Sequence, residues 1–159
     1  MVSETEFEKP RGINKVEIRK GFLTVHVQGL GGTDQVQTAK NRLRALQCMA
    51  DARVSIDFLK LTQEGVSFVV PEQLEQDVAR ALADAAIACT LNKGRCIVLA
   101  HAANMRDEEG LIARVVSEVI GTGVEIDHLG DMHDRVLLVM DANDGERVAK
   151  RIQEALVEL

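Results

Sequence analysis

CIVLAHAANMRDEEGLIARVVSEVIGTGVEI, running from Cys96 to Ile126, decides how the rest of the chain is read. Cys96 to Ala102 is a short apolar run of strand length, and Leu111 to Ile120 carries apolar residues at helical spacing before Gly121. Between them lies the polar stretch Asn104-Met105-Arg106-Asp107-Glu108-Glu109-Gly110, a strand-to-helix loop. A helix that begins there has unpaired N–H groups and partial positive charge at its start, so a carboxylate can bind. Asp107 is the candidate cap, and Gly110 permits close approach of backbone.

Outward from this stretch the same order of elements appears twice. Asn14 to Arg19 reads as a strand, and Lys20-Gly21 breaks it from a second strand, Phe22 to Val27. After the Gly29 to Asp34 turn, a helix is expected from about Asp34 to Asp51, capped by Thr33 or Asp34. Val54 to Leu61 and Val66 to Val70 form a hairpin around Gln63-Glu64-Gly65. Pro71 then opens a helix whose apolar face is Leu74, Val78, Ala81, Leu82 and Ala85. Ala88 to Leu91 is a short strand, and Asn92-Lys93-Gly94 turns into Cys96. The second copy continues with strands Val124 to Leu129 and Val136 to Met140 about a turn at Gly130 to Asp134, then a helix from Asp144 to Val157. Corresponding elements lie about 70 to 75 residues apart, which makes two copies of one unit.

Each copy supplies strand, helix, strand, strand, helix, and a split βαβ unit of the ferredoxin type needs a fourth strand beside its first. Ala88 to Leu91 serves the first unit. The second has no residues left after its last helix, so it must borrow Asn14 to Arg19. The expected fold class is α+β with two ferredoxin-like βαββαβ units. The expected organisation is a polar leader over 1–12, a lent strand over 13–20, a first unit over 21–93 and a second over 94–159.

Composition narrows the function. Of 159 residues, 46% are hydrophobic and 28% charged, the balance of a globular protein. Aromatics are 3%, with no Trp or Tyr, so the stacking platforms of single-strand nucleic-acid binders are missing. Net charge is −6 and the basic residues form no stripe, which argues against a phosphate-backbone partner, so no nucleic-acid partner is expected. The apolar runs are too short to span a bilayer and the polar, acidic start is no signal peptide, so a cytoplasmic location and no membrane partner are expected. Cys48, Cys89 and Cys96 read as reduced core thiols. Gly29-x-Gly31-Gly32 lacks the third glycine of a dinucleotide loop. His101, His128 and His133, near Asp127, Asp131 and Asp134, match no metal-ligand spacing, and neither a metal nor a cofactor is expected. An unrecognised enzyme built on that cluster is the rival that metal analysis would decide.

From Ile13 onward the chain resembles the tandem ACT domains that form the regulatory half of aspartokinases. Cys96 to Ile126 is similar to that family's second unit: Met105, Arg106 and Gly110 match its Gly-Met-Arg-x-x-Pro-Gly loop, with Asn104 in place of the Gly and Glu109 in place of the Pro. Val66-Ser67-Phe68-Val69-Val70-Pro71 resembles its Ile-Ser-Phe-Thr-Val strand and the start of the following helix, and the borrowed strand is also the family's arrangement. The chain departs from it at Gly31-Gly32-Thr33-Asp34, where Asp-x-Pro-Gly is usual, and at Ser55 and Glu125, which replace ligand-contacting Asn.

The resemblance implies a non-enzymatic module that binds a free amino acid at the strand-to-helix loops, usually where two chains meet. It implies a ligand site at Leu30, Gly31, Gly32, Thr33 and Asp34 with Ser55 and Asp57. A second is implied at Asn104, Met105, Arg106, Asp107 and Gly110 with Glu125. Since Glu125 would repel a carboxylate, the first loop is the expected home of the ligand. With no kinase domain preceding these units, phosphoryl transfer is not expected. Implied partners are a second copy of the chain and an enzyme under its control, such as a separate kinase subunit. The alternative is a dimerisation scaffold without ligand.

Overall fold

The computed structural model describes residues 11–157, so most of the expected polar leader lies outside the described residues. Two compact units emerge: Lys20–Cys96, and residues up to Arg19 together with Ile97 onward.

In the Lys20–Cys96 unit the chain runs through the second half of β1 (Lys15–Val27), α1 (Gln35–Asp51), β2 (Asp57–Thr62) and β3 (Gly65–Pro71). A short 3-10 turn, Glu72–Leu74, leads into α2 (Glu75–Asp84) and the first half of β4 (Cys89–His101). Strand order is β2-β3-β1-β4, the order of a βαββαβ unit. Alternation puts Leu23, Val25 and Val27 of β1 on one face with Val66, Phe68 and Val70 of β3. That face packs with Met49 of α1 and with Val78 and Leu82 of α2.

The other unit runs from the second half of β4 through α3 (Leu111–Gly121), β5 (His128–Asp131), β6 (Arg135–Asp141) and α4 (Ala142–Leu156). Its order, β1-β4-β6-β5, repeats that of the first unit, with the first half of β1 as the fourth strand. The N-terminal strand therefore completes the sheet of the second unit. Asn14 N–H donates to the His101 carbonyl at 2.9 Å, and Ile13, 1% exposed, bridges in parallel to Val157 just beyond α4. Both units are ferredoxin-like βαββαβ folds.

Several boundaries correct the sequence reading. Lys20-Gly21 and Asn92-Lys93-Gly94 do not end strands, and β1 and β4 each run unbroken for 13 residues. Gly21 and Gly94 take φ of +86° and +67° with open space where a Cβ would sit, so glycine bends the strand without stopping it. β2 begins at Asp57 instead of Val54, because α1 ends in a cap that uses up the intervening residues. Arg53 adopts φ +57°, its N–H reaches the Ala50 carbonyl, and Val54 N–H reaches that of Met49. β5 likewise starts at His128, after a left-handed Gly123 closes α3, and it continues through Asp131 into the expected turn.

Thr24, paired with Val69 across β1 and β3, is fully buried, and its Oγ1 has no hydrogen-bond partner. A buried hydroxyl left unpaired costs free energy that an isosteric methyl does not. Thr24→Val is expected to raise unfolding stability by about 1 kcal/mol, read as a higher denaturant midpoint at unchanged slope.

Candidate functional site

The first loop leads from β1 into α1. Leu30 is buried and its N–H donates to the Glu64 carbonyl at 2.8 Å, while Asn41 Nδ2 donates to the Leu30 carbonyl at 3.0 Å. This ties the loop to the β2–β3 turn and to the second turn of α1. Gly31, Gly32, Thr33 and Asp34 form its exposed crest. Asp34 is the N-cap, its Oδ1 accepting from Gln37 N–H at 2.8 Å, and Gly32 N–H donates to Thr38 Oγ1 at 2.9 Å. A carboxylate of the chain itself thus already occupies the start of α1.

The second loop is built differently. Asp107 does not cap α3: the N-cap is Gly110 at φ +74°, and no side chain caps the helix. Met105 is 1% exposed and anchors the loop in the core, while Arg106 and Asp107 are exposed. Asn104 supplies the turn carbonyl that accepts from the N–H groups of Asp107 and Glu108, both at 3.2 Å. Glu108, which sequence reasoning passed over, holds the loop to the start of the lent strand. Its Oε2 accepts from Gly12 N–H at 2.7 Å and its Oε1 pairs with Arg114 at 2.9 Å.

Ser55, Asp57 and Glu125, the strand-start residues, are exposed and stand apart from the loops of their own units. α1 separates Asp34 from Ser55 by 17 helical residues, about 25 Å of rise, and α3 separates Gly110 from Glu125 by 11, about 16 Å. Each unit thus keeps its loop and its strand start at opposite ends of its first helix. The charge repulsion expected between Glu125 and a ligand at the second loop does not arise within that unit.

The histidines are dispersed in role. His26 Nδ1 lies 2.7 Å from Ser67 Oγ, His128 is buried at the start of β5, and His133 sits in the β5–β6 turn. His101 Nε2 is 3.3 Å from Glu17 Oε2, an ion-pair distance without hydrogen-bond alignment. Among the described residues no group of three or more His, Cys, Asp or Glu is arranged to hold a metal, and no helix is long and apolar enough to cross a membrane.

Glu17 is also held below the ordinary carboxylate range by Arg19, with Lys15 and His101 adding to the effect, and Asp134 is lowered by Arg135. Carboxyls depressed in the folded state stabilise it above their unfolded values, and that contribution is lost as pH falls through the folded values. Stability should therefore decline as pH falls below the ordinary values of 4.5 for Glu17 and 3.8 for Asp134, and Glu17→Gln should flatten that limb in denaturant titrations.

Comparison with protein-family models gives no match, and comparison with curated proteins gives none. Among solved structures the chain is similar in fold to the regulatory regions of aspartokinases. The regulatory subunit of aspartate kinase from Thermus thermophilus, in a ligand-free form, superposes with a TM-score of 0.80 at 16% identity, covering 94% of this chain and 100% of that one. A structure of aspartokinase alpha and beta subunits gives 0.79 at 18% identity, covering 90% and 97%. E. coli aspartokinase III in complex with lysine and aspartate gives 0.69 at 14%, and there 95% of this chain covers 34% of the longer one. At these identities the likeness is one of fold.

Proposed function

We propose that the chain is a non-catalytic regulatory module that binds a free amino acid at its strand-to-helix loops. The observation that carries this reading is the start of α3. There a loop anchored by Met105 meets a helix without a side-chain cap, beside exposed Arg106, where a ligand carboxylate finds N–H donors and positive charge. The equivalent loop at Leu30 to Asp34 is the second candidate, and Asp34 makes it the poorer carboxylate site, reversing the order expected from sequence. The solved relative with lysine and aspartate bound supports an amino acid as the ligand class.

Because Ser55, Asp57 and Glu125 stand far from the loops of their own units, they join a ligand in this reading when a second copy presents them, and the module works as a homodimer. Its output passes to an enzyme carried on a separate chain, as the alpha and beta subunits of the solved aspartokinase suggest. Thermal-shift measurements against each proteinogenic amino acid test the proposal. A ligand at about 100 times its dissociation constant adds about 2.7 kcal/mol of stability. A shift from one amino acid, diminished by Arg106→Ala, is expected; no shift from any overturns it. A ligand-free dimerisation scaffold is the second reading, favoured by exposed Val36 and Leu43 on α1 and Leu59 and Leu61 on β2. A sedimenting dimer with no amino-acid response would establish it.

A further inference from the structure

A cavity of about 360 Å³ opens in the Lys20–Cys96 unit between the end of β1, the middle of α1 and the link from α2 to β4. That is within the size range of small-molecule sites. Its apolar lining comes from Leu30 and Ile87, both buried, with the methyl groups of Ala86 and Ala88. Asn41 and Arg44 reach it from positions three apart on α1, and so from one face of that helix.

Of the three polar side chains on the lining, Gln28, Asn41 and Arg44, the last two are held in place by backbone carbonyls. The Asn41 amide donates to the Leu30 carbonyl at 3.0 Å, and the Arg44 guanidinium donates to that of Ala85. The Arg44 bond uses one of the guanidinium's five donors. Ala86 takes φ +55°, with its N–H bound to the Ala83 carbonyl and that of Ile87 to the Leu82 carbonyl, so the α2–β4 side of the cavity is fixed by a closed helix cap. Among the described residues lining the cavity, Arg44 is the single formally charged side chain.

We infer that this cavity binds a short aliphatic carboxylate lacking an ammonium group, with its carboxylate on Arg44 and Asn41 and its apolar body against Leu30 and Ile87. A guanidinium and an amide supply donors for an acid anion, while the lining offers no carboxylate to receive an ammonium. The selectivity therefore runs opposite to that of the loop sites, and this inference does not rest on them.

The test is an amide-resolved NMR titration of the full chain with isobutyrate, alpha-ketoisovalerate and L-valine, against a chloride control. Saturable shifts at Gly29, Ala86 and Ala88 are expected from the two acids, with L-valine binding more weakly. Arg44→Gln should raise the dissociation constant about tenfold, and Arg44→Lys should recover part of that loss. Ala88→Leu, which fills the mouth from an exposed position, should abolish the shifts. Four results would each overturn the inference: no saturable shift from either acid, binding unchanged in Arg44→Gln, L-valine binding as tightly as the acids, or shifts centred on Gly31 to Asp34. The last would move the anion to the loop.

Discussion

Deleting residues 1–19 is expected to abolish cooperative folding of residues 97–157. The second half of β4 would lose the strand on one side, and Ile13 would leave a fully buried position, where such a side chain contributes about 1.5 to 3 kcal/mol. The Ile13 to Leu156, Asn14 to His101 and Gly12 to Glu108 hydrogen bonds go as well, each worth about 1 kcal/mol net. The sum is comparable with the whole stability of a small domain, about 5 kcal/mol at its low end. Hydrogen exchange should show residues 97–157 exchanging at rates near those of an unfolded chain. Retained protection throughout β4, β6 and α4 would mean that the lent strand is dispensable.

Gly65→Ala is the largest single-residue effect expected. A Cβ there would lie 2.0 Å from the Val27 carbonyl oxygen and 3.0 Å from its carbon, so the obstacle is the backbone of β1 and no rotamer change relieves it. Val27 and Val66 are partners across β1 and β3, and the next link along, Leu30 N–H to the Glu64 carbonyl, holds the first loop. Relief must therefore displace both the hairpin and the loop. The cost should reach about 3 kcal/mol, the upper end for overpacking. Gly21→Ala is the control: φ is +86° there but nothing lies within 4 Å of the added methyl, so only the conformational penalty of about 1 to 2 kcal/mol applies. Equal midpoints for the two variants in denaturant titration would refute the steric account.

The signals that were legible in the sequence are those that repeat locally. Alternating Leu23, Val25 and Val27, helical spacing through Val78 and Leu82, and the Asp34 cap each follow from a few neighbouring residues. The need for a borrowed strand followed from counting elements. What was hidden depends on conformations that composition does not mark. Arg53 and Ala86 close helices in the left-handed region where glycine is usual, and Gly21 and Gly94 sit inside strands where glycine more often ends them. Glu108 reaches Gly12 across 96 residues, which no local pattern reveals, and Gly110, not Asp107, stands at the start of α3. The separation of Ser55 from Asp34 follows from the length of α1.

Amide hydrogen exchange of the full chain in the presence of each proteinogenic amino acid tests the regulatory reading most directly. At least one should slow exchange over residues 104–112, at the loop and first turn of α3, with a smaller effect over 30–37. Exchange unchanged in both segments for every amino acid would contradict it.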